Sequence, residues 1–317
     1  MRISAYLIAP LAAFLLLGCA LHKVDEEPEG RLPEYTEYTD PPGITSPLPS
    51  PWWKAFGDED LNALIEESLG SNYQVAELAA RYKSSLALTD EARALRFPSV
   101  DAVAEEAIEI DDSDFRDFTE LGGALFWEVD IFNRLGYQES AFSAEAQASS
   151  EELDALRLTL SAEIAETYYS AIEEKLKLEL LKDQRERDTL LLDLTELRFA
   201  QGVSSAVDVL QQRSQLDDTI SLIPSSEAAY VVFENRLDIL AGQAPDGRFK
   251  TPEDGGFPVL GSPPPVGIPS ELLLNRPDLR ALKYSLVAAD NRIGQAIAER
   301  LPNFTITGSY IYAAGSG

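Results

Sequence analysis

The stretch from Tyr137 to Gln201 contains neither glycine nor proline and lies between Gly136 and Gly202. Its apolar residues recur at steps of three and four, as in Leu153, Leu156, Leu160, Ile164, Tyr168 and Ile172. This spacing places them on one stripe of an α-helix, with Glu, Lys and Arg on the other faces. One unbroken helix of this length would extend roughly 100 Å. Because no ordinary globular core needs such a helix, the stretch predicts a coiled coil, a repeat array or a long tube.

A second segment with helical apolar spacing, residues 205–241, follows a short break at Gly202-Val203-Ser204. The two segments together predict a long helical hairpin over residues 133–241 that turns at Gly202. Glycine adopts the positive φ of a tight helical turn without strain. Ser204 is expected to cap the returning helix.

The composition excludes several classes of function. The 317 residues are 45% hydrophobic, so the chain as a whole is not disordered, and they carry a net charge of −28. That charge argues against nucleic acid as a partner, because phosphates are bound by Lys and Arg. One cysteine and one histidine leave no disulfide framework and no imidazole-based metal site. We therefore expect no cofactor, no metal and no catalytic residue, and the protein is not expected to be an enzyme.

The N-terminus has the layout of a secretory signal peptide over residues 1–18. That segment ends in Leu16-Leu17-Gly18-Cys19, which resembles the lipobox of bacterial lipoproteins. The resemblance implies that Cys19 becomes an acylated N-terminus, and more than one acyl chain gives durable anchoring. Because Ala20 stands where an Asp would signal inner-membrane retention, the outer membrane is expected. An ordinary signal peptide with an incidental cysteine is the alternative.

The residues after Cys19 predict a tether. Residues 19–58 are rich in Pro, Glu, Asp and Thr over most of their length, and they cannot bury enough apolar surface to form a core. We interpret them as a lipid-anchored N-terminal tether, in which His22 is a plain surface residue beside the anchor. Two aromatic residues near the end of the tether, Trp52 and Trp53, are expected to be packing residues.

Residues 59–98 are predicted to form the helical part of a first repeat. A helix begins near Leu61, is interrupted at Gly70-Ser71-Asn72, and is followed by a longer helix that ends before Pro98. Beyond that proline the apolar period changes from helical to alternating. Residues 99–132 therefore predict a pair of β-strands.

The second predicted strand has one apolar face, which carries Leu121, Gly123, Leu125, Trp127, Val129 and Ile131. The alternating positions include Glu120, Glu128 and Asp130, so the other face is mostly polar. The acidic loop between the strands, residues 111–114, lacks the glycine and final Glu of a calcium loop, and a solvated loop is favoured over a calcium site. A hairpin alone is unstable in water. An apolar outer face, a polar inner face and a lipid anchor predict strands of a membrane barrel completed by other chains.

The chain contains the start of a second repeat, residues 269–317. Adding 204 to the residue number aligns Glu66–Glu105 with Ser270–Ser309, since 66 + 204 = 270 and 105 + 204 = 309. Under that offset the helix-ending Pro98 meets Pro302, and an alternating pattern follows again. Residues 242–268, rich in Gly and Pro, are interpreted as the linker between the repeats.

Several motifs together resemble those of the TolC superfamily, and most closely its OprM/NodT-type outer-membrane factor lipoproteins. They occur in family order and cover the chain from Cys19 onward. They are Trp52-Trp53-Lys54-Ala55-Phe56-Gly57-Asp58, Phe97-Pro98-Ser99, Trp127-Glu128-Val129-Asp130-Ile131-Phe132, Asn275-Arg276-Pro277-Asp278-Leu279 and Leu301-Pro302-Asn303.

The resemblance implies a mainly α fold with a membrane β-barrel part. Long helical hairpins of a homotrimer would form a periplasmic α-barrel, and each protomer would add strands to a shared twelve-stranded barrel. It further implies a passive exit duct for small molecules across the outer membrane. An inner-membrane RND-type pump would feed this duct through a periplasmic adaptor (membrane fusion) protein. Gly202, Val203 and Ser204 would form the tip that contacts the adaptor, and a turn without a contact role is the alternative.

Compared with that family pattern, the sequence ends after a third strand, which predicts a C-terminally truncated channel with an incomplete barrel. The alternative function is a truncated remnant, or a periplasmic coiled-coil scaffold lipoprotein without pore activity. The sequence does not name the exported compound, because substrate choice in such systems is expected to lie mainly in the pump.

Overall fold

The computed structural model describes residues 22–25, 51–111, 114–247, 251–252, 255–258 and 275–316. The chain divides into two compact units. Unit one comprises residues 1–34, 78–153 and 273–317, and unit two comprises residues 35–77 and 154–272. Cys19, the predicted signal peptide, most of the predicted tether and most of the predicted linker lie outside the described residues. In the described ranges, none of the helices combines the length and apolarity needed to cross a membrane.

The elements follow the predicted order. The helices are α1 (Glu59–Ser71), α2 (Tyr73–Ala94), α3 (Arg134–Ala200), α4 (Ala206–Leu240) and α5 (Pro277–Ala298), with a 3-10 turn at Trp52–Phe56; the strands are β1 (Ser99–Asp111), β2 (Asp114–Val129) and β3 (Phe304–Ser316). The break between α1 and α2 falls at Asn72. Its side-chain oxygen accepts hydrogen bonds from the backbone N–H groups of Gln74 (2.8 Å) and Val75 (3.3 Å), which begins α2 directly after α1 ends.

Unit one contains a three-stranded antiparallel sheet in the order β1-β2-β3. β1 and β2 form a hairpin in which Ser99 pairs with Phe126. β3 pairs with the other edge of β2, and Val129 lies opposite Phe304. The strand of the second repeat, β3, therefore joins the two strands of the first repeat in one sheet.

The register separates the side chains of the sheet into two faces. The mostly apolar face carries Val100, Ala102, Ala104, Leu121, Leu125, Trp127, Val129, Phe304, Ile306, Tyr310 and Tyr312, together with Glu106 and Thr119 near the end of the hairpin. The mostly polar face carries Asp101, Glu105, Glu120, Glu128, Thr305, Thr307 and Ser309, together with Val103, Phe126 and Ile311. Because side chains alternate along a strand, this division follows from the register alone, and it confirms the faces predicted for the second strand.

The helices of unit one pack on the first part of α3. Small buried residues, Ala141, Ala144 and Ala148, let neighbouring backbones approach α3 closely. The Ser85 hydroxyl of α2 lies 3.3 Å from the Ser149 hydroxyl of α3. On α5, Arg280 and Arg292 form ion pairs with two glutamates of α3, Glu151 and Glu145 respectively.

The internal repeat is visible in the helices. α2 and α5 each span 22 residues, and the offset of 204 relates both of their ends, since 73 + 204 = 277 and 94 + 204 = 298. β1 and β3 follow these helices after the equivalent prolines, Pro98 and Pro302.

Unit two contains the rest of α3, the whole of α4, α1 and the 3-10 turn. Its core consists of side chains that are at most 1% exposed: Leu61, Ile65, Ile164, Tyr168, Ile172 and Leu237. Asp58 caps α1, since its carboxylate accepts the N–H of Leu61 at 2.9 Å. The same carboxylate accepts the hydroxyls of Tyr168 (3.5 Å) and Tyr169 (3.4 Å). Burial, and then the negative charge of Asp58, raise the pKa of Tyr169 to about 12.

The aromatic residues of the 3-10 turn pack as predicted. Trp52 makes edge-to-face contacts with Trp53 and Phe56, with ring centroids 6.0 and 5.8 Å apart. The Trp52 indole N–H donates to the Ser161 hydroxyl at 3.1 Å. Edge-to-face pairs add stability beyond the area that they bury. The turn is therefore fastened to α3 within unit two.

Candidate functional sites at the hairpin tip and on the strand sheet

The turn between α3 and α4 is a helix C-cap built on Gly202. This residue has φ +76°, in the left-handed region that glycine adopts without strain. The Gly202 N–H donates to the carbonyl of Phe199 and the Val203 N–H to the carbonyl of Arg198, both at 2.9 Å. This pair of bonds is the Schellman arrangement, which satisfies carbonyls left open at a helix end. A Cβ on Gly202 would have nothing within 4 Å, so only the backbone angle requires glycine there.

The residue that caps α4 is Ser205, so the prediction that Ser204 caps the helix is wrong by one position. The Ser205 hydroxyl accepts the N–H of Asp208 at 3.2 Å, and the Asp208 carboxylate accepts the N–H of Ser205 at 2.8 Å. This reciprocal pair is a capping box. The Ser204 hydroxyl donates to the same carboxylate at 3.2 Å. The backbone N–H of Ser205, and then the two serine hydroxyls, hold the pKa of Asp208 below its usual range.

The hairpin tip exposes apolar side chains to solvent. Val203 is 74% exposed and Leu210 is 62% exposed. Phe199 and Val207, on the last turn of α3 and the first turn of α4, are also exposed. Behind the tip, Arg213 of α4 donates to Glu196 of α3 at 2.8 Å and ties the two arms together. Exposed apolar groups clustered on a soluble surface mark an interaction site. The structure therefore places Gly202, Val203 and Ser204 together at an exposed turn whose geometry is fixed by hydrogen bonds.

The strand sheet of unit one exposes large apolar side chains on one face. Val100, Ile306, Tyr310 and Tyr312 are all exposed on that face. Threonines, Ser309 and carboxylates stand on the opposite face. An apolar face opposite a polar one is the pattern of strands that separate lipid from a water-filled lumen.

The junction between the sheet and the helices is held by a network of polar contacts in unit one. The Trp127 indole N–H of β2 donates to the carbonyl of Arg96, just after α2, at 3.1 Å. Arg96 and Arg93 donate to the two oxygens of Glu139 on α3, at 2.5 and 2.9 Å. Hydrogen bonds from Arg96 and then from Arg93 hold the pKa of Glu139 below its usual range. Sequence reasoning missed this network, because Arg96 and Glu139 are 43 residues apart and belong to different elements.

The turn from β2 into α3 is also fixed by short polar contacts. The Asp130 carboxylate accepts the N–H of Gly136 at 2.9 Å, and Arg134 forms a two-oxygen ion pair with Glu128. Asn133 has φ +61°, in the left-handed region. A Cβ at Gly136 would lie 2.0 Å from the side-chain oxygen of Asn133, so this position accepts only glycine without rearrangement.

The chain matches known proteins along most of its length. The family model described as outer membrane efflux protein matches residues 64–243. Nodulation protein T of Rhizobium leguminosarum bv. trifolii is 26% identical, over 99% of this chain and 68% of that protein. The solvent efflux pump outer membrane protein SrpC of Pseudomonas putida is 26% identical, over 95% and 67%. The probable outer membrane lipoprotein SilC of Salmonella typhimurium is 24% identical, over 96% and 69%.

A solved structure of the outer-membrane channel OprN is similar in fold. It superposes with a TM-score of 0.78 at 25% identity, over 94% of this chain and 73% of that chain. The chain spans about two thirds of the length of these curated relatives.

Proposed function

Because this chain belongs to the outer membrane efflux protein family, we propose that it is a channel lipoprotein of a tripartite efflux system, a passive exit duct for small molecules. The observation that carries the proposal is the match of the family model to residues 64–243, which include the β1–β2 hairpin and the long helical hairpin. The family consists of efflux ducts and is not an enzyme family. No observation on the described residues favours a scaffold without pore activity.

The duct requires more than one copy of the chain. In the described sheet, the outer edges of β1 and β3 have no strand paired to them. An open edge in lipid leaves unsatisfied N–H and C=O groups, each of which costs several kcal/mol. Closure by strands of other copies removes both edges, and a homotrimer is the assembly we propose. The apolar face of the sheet would then contact outer-membrane lipid and the polar face would line the lumen.

The hairpin tip is the proposed contact with a periplasmic adaptor protein, which connects the duct to an inner-membrane RND-type pump. Three features support Gly202, Val203 and Ser204 as the contact residues. The turn is closed by backbone hydrogen bonds, its apolar side chains are exposed, and a capping box holds the start of α4. The name of the relative SrpC refers to an efflux pump, which supports a pump as the source of the substrate.

The proposed organisation of the chain follows from this assembly. Residues 1–18 are the signal peptide and residues 19–58 the tether, acylated at Cys19. Residues 59–98, 99–132 and 133–241 are the helical part, the strand pair and the long hairpin of the first repeat. Residues 242–268 link it to the second repeat, residues 269–317. The outer membrane is the location of the family, and the lipoprotein relative SilC supports the anchor.

A planar lipid bilayer tests the pore. The purified mature chain, added to one side, is expected to produce stepwise increases in conductance. Absence of such steps at a protein concentration that inserts a known outer-membrane channel would contradict the proposal.

Val203→Asp tests the tip, because a charge at the exposed apolar turn would oppose an apolar contact. In a host strain deleted for the gene, we expect Val203→Asp to lose export, measured as sensitivity to exported compounds. The conservative control Val203→Ile should restore export, and both variants should conduct normally in the bilayer. Full export with Val203→Asp would contradict a contact role for the tip.

A further inference from the structure

The segment His22–Asp25 is bound to the helices of unit one by two side chains. The first is Tyr137, in the first turn of α3. Its hydroxyl accepts the backbone N–H of His22 at 3.1 Å and donates to the backbone carbonyl of the same residue at 2.5 Å. The His22 and Tyr137 rings are also in edge-to-face contact, with centroids 6.4 Å apart. One hydroxyl thus satisfies both backbone groups of His22.

The second side chain is Asp290 of α5, which uses both of its oxygens. Oδ1 lies 2.7 Å from Nε2 of His22, and Oδ2 accepts the backbone N–H of Asp25 at 2.8 Å. The side chains of His22 and Asp290 are only 22% and 23% exposed. The prediction that His22 is a plain surface residue is therefore wrong, because the Asp290 carboxylate binds its ring against the helices.

Tyr137 is itself held in position. The residue is 4% exposed, and its ring packs against Gly294 of α5. A Cβ added at Gly294 would lie 2.8 Å from two ring carbons of Tyr137, so the absence of a side chain there makes room for the ring. The two residues that bind the segment, Tyr137 and Asp290, come from different repeats, since α3 follows the first strand pair and α5 opens the second repeat.

We propose that residues 22–25, Tyr137 and Asp290 form a clasp that fixes the membrane-anchored end of the chain at the level where the sheet meets the helices. The level follows from the position of Tyr137, which donates its N–H to Asn133 in the turn between β2 and α3. The part of the inference that concerns the membrane rests on the acylation of Cys19 in the proposed function.

Covalent geometry limits how far the anchor lies from the clasp. Two residues, Ala20 and Leu21, separate Cys19 from His22, so the two are three steps apart along the chain. An extended chain spans at most roughly 3.3–3.6 Å per step, and the acylated residue therefore stays within about 11 Å of His22. The clasp therefore places the acyl chains in the leaflet beside the strand–helix junction.

Proteolysis at Lys23 tests the clasp, because this exposed residue lies between His22 and Asp25, the two residues that the clasp binds. A protease that cleaves after lysine can bind the segment only after the segment has separated from the helices. When opening is fast relative to cleavage, the cleavage rate tracks the population of the open form. Asp290→Ala removes both contacts of the carboxylate with the segment, so it should speed cleavage after Lys23 at least about tenfold. Tyr137→Phe should speed it several-fold.

The control is Asp278→Ala, which removes the same charge from the same helix at a residue paired with Arg276 rather than with the clasp. Its cleavage rate at Lys23 should equal that of the wild type. Cleavage after Lys83 of α2 reports unfolding of unit one and should stay slow in all three variants. Equal rates at Lys23 for the wild type and Asp290→Ala would overturn the clasp, as would acceleration by Asp278→Ala of the same size.

The mass of the released peptide tests the acylation of Cys19 independently of the clasp. If Cys19 is acylated, cleavage after Lys23 releases the peptide Cys19–Lys23 with its acyl chains, which mass spectrometry identifies. An unmodified N-terminal peptide would overturn the anchor and, with it, the membrane part of the inference. Slow cleavage in the wild type and fast cleavage in Asp290→Ala would still establish the clasp itself.

Discussion

At Gly202 only the backbone angle requires glycine, because a Cβ added there would meet no atom within 4 Å. A left-handed conformation costs a residue with a Cβ about 1–2 kcal/mol. We expect Gly202→Ala to destabilise the helical hairpin by about 1 kcal/mol. Gly70→Ala, inside α1 and also without neighbours within 4 Å, should stabilise by about 0.5–1 kcal/mol. Unfolding of the two variants by denaturant, followed by far-UV circular dichroism, measures both changes. Changes of the same sign would contradict this account.

Glu139 makes the stability of the junction depend on pH. Its folded-state pKa is lowered by Arg96 and Arg93, so its contribution is fully present above the ordinary pKa of a glutamate, about 4.3. The contribution is lost as the pH falls through the lower folded-state value. Both arginines are partly exposed, so the contribution is modest. At pH 7 we expect Glu139→Gln to lower the Tm by about 3 °C.

The pH series is the decisive measurement for Glu139. The Tm difference between Glu139→Gln and the wild type should be constant from pH 7 to about 5 and shrink toward pH 3. Glu152→Gln, at an exposed position of the same helix, should leave the Tm unchanged across the range. A Tm difference for Glu139→Gln that grows as the pH falls would contradict the sign.

At the scale of the element, β3 carries large apolar side chains on one face and mostly polar side chains on the other. Its residues alternate between Phe304, Ile306, Tyr310 and Tyr312 on one face and Thr305, Thr307, Ser309 and Ile311 on the other. Pairing with β2 continues both faces across the sheet. A shift of register by one residue would exchange the faces, so the division of side chains depends on the pairing of Val129 with Phe304.

Ile306→Arg and Thr307→Arg, on adjacent residues of opposite faces, test that division. An arginine facing lipid costs about 2–4 kcal/mol at the bilayer midplane and less near its surfaces, whereas a lumen-facing one is tolerated. We expect Ile306→Arg to insert fewer channels per amount of protein in a planar bilayer. Thr307→Arg should insert normally and change the conductance of each channel. Equal insertion by the two variants would show that the faces are assigned wrongly.

At the scale of the whole molecule, the carboxylates of the polar face would give the proposed lumen a negative charge. Glu105 and Glu120 lie directly opposite each other across β1 and β2, and Asp101 is on the same face. Like charges at opposed positions destabilise a strand pair, so packing alone does not account for them. A wall with one sign of charge raises the local concentration of the opposite ion.

The doubly substituted Glu105→Gln/Glu120→Gln channel tests the effect of this charge. The wild-type channel should favour cations, read as the reversal potential in a gradient of potassium chloride. The double variant should shift that potential toward zero. Glu299→Gln, which removes an acid from the C-terminal end of α5 rather than from the sheet, should leave it unchanged. A wild-type reversal potential that indicates anion preference would contradict a lumen lined by these carboxylates.

Short-range features were predicted well, and contacts between distant residues were not. The turn at Gly202 was found because only glycine suits its angle. The cap was placed one residue too early because the Schellman turn uses Val203 to close α3, and because Asp208 at the third helical position pairs with Ser205. The role of His22 was missed because its partner Asp290 lies 268 residues away and no spacing rule connects them.

The sequence by itself determined the helical hairpin, its turn, the alternating strands and the repeat. Each of these depends on residues close together in the chain, where apolar spacing and backbone preference act directly. Only the tertiary structure decided that β3 pairs with β2, that two arginines of the α2 region share Glu139, and that Asp290 binds the segment of residues 22–25. These contacts arise when separate elements pack together, and their geometry depends on the whole arrangement rather than on any local pattern.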